Sequence, residues 1–136
     1  MTSRSHAPLI RLARFKLEEL QKQSSAIQTT RTHIIEQIDR LEASVPEEQA
    51  TAKESRDGFM AYGSYARSII LRKDKLRSSL KEVDLEADAL RERIEEAFTE
   101  VKRYEILEDR RLAHAKELVR RAEQAENDEI AGNLNR

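Results

Sequence analysis

The chain has 136 residues, with 25 Lys plus Arg against 26 Asp plus Glu, 3 Gly, 2 Pro, no Cys and no Trp. At 38% charged and 4% aromatic it has no material for a broad globular core, and so little glycine excludes β-sandwiches and Gly-rich phosphate loops. Lack of cysteine removes disulfides, Cys-ligated zinc and a Cys nucleophile, while a net charge of -1 gives no reason to expect nucleic acid as the partner.

Residues 1 to 16 hold Arg4, Arg11, Arg14 and Lys16, no acid, and Ser3 and Ser5. This imitates an organelle transit peptide; the plainer reading is a basic tail entering a helix. No apolar run is long enough for a transmembrane helix or a signal-peptide core, which leads to an intracellular address.

From Ile10, steps of three and four fall on Ala13, Leu17, Leu20, Ser24, Ile27, Arg31, Ile34, Ile38, Leu41 and Val45, a heptad stripe broken only by Ser24 and Arg31. Pro46 cannot extend a helix from within, so helix one is expected over about 8–45. The stretch 46–58 is polar, lacks periodicity and ends in Asp57-Gly58, a pair typical of turns, so it reads as the connector. Beyond it Leu76, Leu80, Val83, Ala87, Leu90, Ile94, Ala97, Val101 and Tyr104 occupy nine consecutive seam positions. They predict helix two over about 59–127, followed by a short tail.

The fold class is therefore all-α: two long helices forming an antiparallel coiled-coil hairpin in a single domain spanning 1–136, with a parallel dimer of unbent chains as the competing arrangement. If the chain reverses near Ala52, paired residue numbers sum to about 104, which sets Ile34 against Ile70 and Arg31 against Lys73. Helix one is then exhausted near residue 96. About thirty residues of helix two remain without cover, although Phe98, Val101, Leu107, Leu118 and Ala122 continue the apolar spacing, and such a strip seeks a partner; a reversal at Gly58 instead would shorten this overhang without abolishing it.

Chemistry is sparse. His6, His33 and His114 lie far apart, so no metal or other cofactor is expected. The acid pairs Asp84 with Asp88 and Glu92 with Glu96 stand one helical turn apart, but on so charged a helix they read as solvated faces. No P-loop, HExxH, nucleophile elbow or GxGxxG occurs, so the chain is not expected to be an enzyme. Charge lies in blocks: 67–81 carry six bases and one acid, 82–100 eight acids and two bases, and 101–121 seven bases and four acids. Alternating blocks set register between helices and steer a protein partner. Three of the six aromatics, Phe59, Tyr62 and Tyr65, cluster with Ile69 on one helix face. They read either as a plug for the hairpin end, packed on Leu41 and Val45, or as a protein-docking patch.

Several of these segments resemble the flagellar FliJ family. Tyr104-Glu105-Ile106-Leu107-Glu108-Asp109-Arg110 and Asp128-Glu129-Ile130-Ala131 are similar to that family's C-terminal helix, and the stretch from Leu12 to Leu20, the Val83-Asp84 pair and the aromatic patch also resemble it. The resemblance implies a component of the flagellar type III export apparatus that acts as a stalk on the export ATPase ring, couples it to the cytoplasmic domain of the export gate and handles export chaperones. It implies a cytoplasmic location, peripheral at the cytoplasmic face of the flagellar basal body, with at most peripheral membrane contact. Carried over by motif position, Tyr62, Tyr65 and Ile69 bind the gate, while Phe15, Leu107, Arg110, Leu118, Asp128 and Glu129 face the ATPase. The chain departs from the family pattern in lacking Trp, in its short connector holding Pro46 and in having no basic tail after Gly132. Alternatives are an injectisome stalk protein, a prefoldin-like chaperone, for which 46–58 has neither the length nor the alternation of a β-hairpin, and a plain structural coiled coil.

Overall fold

The computed structural model describes residues 4–135, so Ser3 of the basic segment lies outside the described residues. Two helices follow one another, α1 (Ala7–Ala52) and α2 (Arg56–Leu134), and no strand occurs among the described residues. Abundant Leu, Ala, Glu, Lys and Arg favour helix throughout. All eleven seam positions expected of the first helix and all nine of the second are buried or half-buried.

The element boundaries differ from the sequence expectation. α1 does not end near 45 but runs through Pro46. A proline in a helix forfeits one backbone hydrogen bond and costs about 3 kcal/mol. Here Pro46 is exposed, so solvent can serve the freed Glu42 carbonyl, and the seam continues on both sides through Val45 and Ala52. The connector shrinks from 46–58 to residues 53–55. Asp57 and Gly58 belong to the first turn of α2, where the Gly58 N–H donates to Ser55 Oγ (2.9 Å) and the Phe59 N–H to the Ser55 carbonyl (3.1 Å). Ser55 is thus the N-cap, and no described glycine has positive φ. At its far end α2 passes the expected limit of 127 and continues to Leu134.

Packing divides the chain into two compact units. The hairpin unit is Glu19–Ile94, in which α1 turns back antiparallel on α2. Its core is a file of single residues: Ile34, Ala52, Ile69 and Leu90, none more than 8% exposed. Arg31 Nε meets Asp84 at 2.8 Å and Lys73 Nζ meets Glu42 at 3.3 Å, so both pairs sum to 115. The expected register near 104 is therefore wrong. Ile70, assigned to Ile34, is 58% exposed while Ile69 is 4% exposed, and Arg31 and Lys73 each face an acid instead of one another. Apolar steps of three and four residues admit several offsets; opposite charges beside the seam select among them.

The terminal unit joins the chain up to Glu18 with the chain from Glu95 onward. Its core is smaller still: Ala13, Ala97 and Val101. α1 covers α2 as far as Glu108, which accepts the His6 N–H at 2.7 Å. The uncovered stretch of α2 accordingly begins near Leu112 and not at residue 96, because the register is displaced.

Candidate functional site

Two surfaces hold the residues singled out in the sequence, one in each unit. In the hairpin unit Tyr62, Tyr65 and Ile69 follow the reversal at residues 53–55. Tyr62 and Tyr65 are half-buried, with ring centroids 6.4 Å apart and planes tilted by 38°. The hydroxyls of Tyr65 and Ser44 are hydrogen bonded, and Ser44 Oγ in turn donates to the Leu41 carbonyl at 2.7 Å. Both rings border a hollow of about 180 Å³ that is closed by Glu48, Thr51, Ala52 and Gly58. Ile69 lies in the core, 4% exposed, and presents almost no surface to an incoming molecule. Of the apolar groups that face solvent here, the sequence reading named Phe59 and missed Met60 and Leu71. Phe59, Met60 and Leu71 are each 71% exposed.

In the terminal unit Phe15, Leu107, Arg110, Leu118, Asp128 and Glu129 are all exposed. The six do not form one cluster: Leu107 lies about three helical turns and Arg110 about two before Leu118, and Asp128 and Glu129 about three turns after it. What connects them is an apolar strip. Leu112, Ala115, Val119 and Ala122 continue at steps of three and four along the face that Val101 occupies, with Leu118 on its flank, and every one of them is exposed. Asp128 Oδ1 accepts from Gln124 Nε2 at 3.0 Å, one turn back on the same helix.

Charges border this strip in tight local pairs. Arg120 and Arg121 both bind Glu117 (2.9 and 3.2 Å), which holds the Glu117 carboxyl below its usual range, Arg120 contributing most. Glu105 is likewise held low, first by Arg14 of α1 and then by Lys102. Lys102 Nζ also stands 5.4 Å from the Phe98 ring centroid, a cation–π contact. Of the seven bases in the block 101–121, Arg111, Arg120 and Arg121 are thus engaged with carboxylates of their own helix.

Glu108, not singled out in the sequence, is the most perturbed acid of the terminal unit. Arg111 donates to it through Nε and through Nη2 at 2.6 Å, the His6 backbone N–H reaches it at 2.7 Å, and His6 Nδ1 lies at 2.8 Å. Arg111 chiefly, then the His6 N–H, lower its pKa to about 2. The first turn of α1 contains no acid, so Glu108 supplies from α2 the negative charge that a helix N-terminus favours. The missing acid and the Glu108-x-x-Arg111 spacing were the readable signals; without the register they had no address.

No cluster of three or more metal-ligating side chains occurs among the described residues. Of the acid pairs, Asp88 is exposed and bound to Arg91 on its own helix, as a solvated face should be, whereas Asp84 is half-buried and bound across the hairpin to Arg31 of α1. No described helix is long and apolar enough to cross a membrane. In comparison with known protein families, the family model described as "Flagellar FliJ protein" matches residues 5–136. No curated protein and no solved structure matches the chain.

Proposed function

The chain belongs to the flagellar FliJ family, and from that premise we propose that it is a non-enzymatic stalk of the flagellar type III export apparatus. In this reading it sits on the export ATPase ring, couples the ring to the cytoplasmic domain of the export gate and exchanges export chaperones. The observation that carries the proposal is the strip from Leu112 to Ala122, a helix face with coiled-coil periodicity that is exposed throughout and has no helix against it among the described residues. Apolar groups left in water at this spacing cost about 25 cal/mol for each Å² that a partner would remove, so a covering partner is favoured.

Exposure of Phe15, Leu107, Arg110, Leu118, Asp128 and Glu129 supports their assignment to the ATPase-facing surface. For the gate, Tyr62 and Tyr65 with the exposed Phe59 beside them supply the contact, and Ile69 supports them from the core. Tyr62→Ala keeps both Ile69 and the Tyr65–Ser44 bond, so it tests gate binding without emptying the core. Lack of a spanning helix agrees with a protein that is at most peripheral at the cytoplasmic face of the basal body. A prefoldin-like chaperone is disfavoured by a connector of residues 53–55, which leaves no room for a β-hairpin. The flagellar family match likewise favours the flagellar over the injectisome system.

Deleting the chain from Leu118 onward tests the proposal. The melting temperature should hold, since no described residue after Val101 is buried, while stimulation of the export ATPase should be lost. A truncated chain that stimulates hydrolysis as well as the full chain would leave only a plain structural coiled coil.

A further inference from the structure

The first turns of α1 rest on α2 in an unusual way. Leu9 is 44% and Leu12 52% exposed, Ala7 and Pro8 face solvent, and only Ile10, half-buried, and Ala13, 3% exposed, give up apolar surface. An alanine has little area to bury, so hydrophobic contact holds this end weakly. Polar contact is dense by comparison. Glu108 Oε2 takes the His6 N–H at 2.7 Å and lies 2.8 Å from His6 Nδ1, while Oε1 accepts from Ser5 Oγ at 3.4 Å. The Glu108 side chain is only 14% exposed, and Arg111, the other charged group facing it, is bound to the same carboxylate. One turn back, Arg14 of α1 meets Glu105 at 2.9 Å, a more open pair.

We infer that Glu108 is a latch on the start of α1, and that its release uncovers Tyr104 and Val101 so that they join the open strip beginning at Leu112. The strip then has two lengths: short with α1 closed, and longer by two to three turns with α1 lifted. The latch fits its task because its strongest interhelical bond goes to a backbone N–H at the helix N-terminus, where one carboxylate satisfies an orphan donor and the local dipole together. Losing that acceptor frees the first turns without touching any apolar core residue. The inference concerns this chain alone and stands whether or not the strip docks on an ATPase.

The chain has no cysteine, so single introduced thiols report on opening cleanly. In full-length V101C, reaction with a soluble thiol reagent should accelerate about tenfold when E108A is added, as expected for loss of a charge-assisted hydrogen bond. In I69C, the hairpin-unit reference, E108A should leave the rate unchanged. H6A should accelerate V101C less than E108A does, because it removes the ring contact and keeps the backbone donor. Unchanged V101C labelling in E108A would overturn the latch, as would an equal rise at I69C, which signals general unfolding. An H6A effect as large as that of E108A would overturn the assignment of the hold to the backbone bond.

Discussion

In the hairpin unit the seam of α2 from Leu76 to Ile94 is buried or half-buried at every position. In the terminal unit the apolar repeat runs on past Val101, the last buried residue, to Leu112, Leu118, Val119 and Ile130, each at least half exposed. Periodicity is shared; cover is not. The difference follows from unequal lengths, 46 residues in α1 against 79 in α2, and it separates a stripe that folds the chain from one available to bind.

The contrast breaks most visibly under truncation of matched residues. Ile69→Ala opens a cavity in a seam one residue thick and should cost about 2–4 kcal/mol, measured by urea denaturation. Val119→Ala should change stability by less than about 0.5 kcal/mol, since its side chain is already in water. Similar losses at both positions would erase the distinction between the units.

The register of the hairpin unit is sharpened by Arg31 and Asp84, which face each other at 2.8 Å and are 41% and 47% exposed. A double-mutant cycle on this pair should return a coupling of about 0.2–1 kcal/mol, the range for partly exposed ion pairs. Arg31→Leu combined with Lys73→Leu should be simply additive, because the two no longer share a layer. Coupling between Arg31 and Lys73 would instead restore the register near 104.

Smallest in global terms is the pH response of Glu108, whose effect is confined to the start of α1. Its carboxyl is held at about 2, below the ordinary 4.5, by Arg111 and then the His6 N–H. A depressed carboxyl stabilises the fold above its unfolded pKa and loses that contribution as pH falls through its folded pKa. Amide exchange in the first turns of α1 should therefore quicken between about pH 4.5 and 2 relative to the hairpin unit. E108Q should remove most of that pH dependence and leave the part that belongs to Glu105, which Arg14 of α1 also holds low; an undiminished dependence would contradict the role of Glu108.

Legibility in the sequence was uneven, for physical reasons visible at particular residues. Both stripes were readable because a seam needs apolar groups every three or four residues, and each expected seam position is indeed covered. Pro46 misled because its local cost is real, yet an exposed proline flanked by seam residues is tolerated by the helix around it. Asp57-Gly58 misled because the same residue types suit a helix's first turn, with Ser55 as the cap. Register was illegible from the stripes, because apolar steps of three and four residues admit several offsets, and so were its consequences: the burial of Ile69, the Arg31–Asp84 pair and the role of Glu108. The residues proposed to face the ATPase are all exposed but spread along the terminal unit, whereas the gate set mixed two half-buried tyrosines with a core isoleucine.

Protection of single thiols by the export ATPase ring tests the central claim most directly, with V119C on the strip and L71C on the hairpin unit, both exposed before binding. Saturating amounts of assembled ring should slow labelling of V119C by about tenfold or more and leave L71C at its free rate. Protection at L71C with V119C still freely reactive would contradict the account, because the ring would then be held by the hairpin unit and not by the uncovered strip.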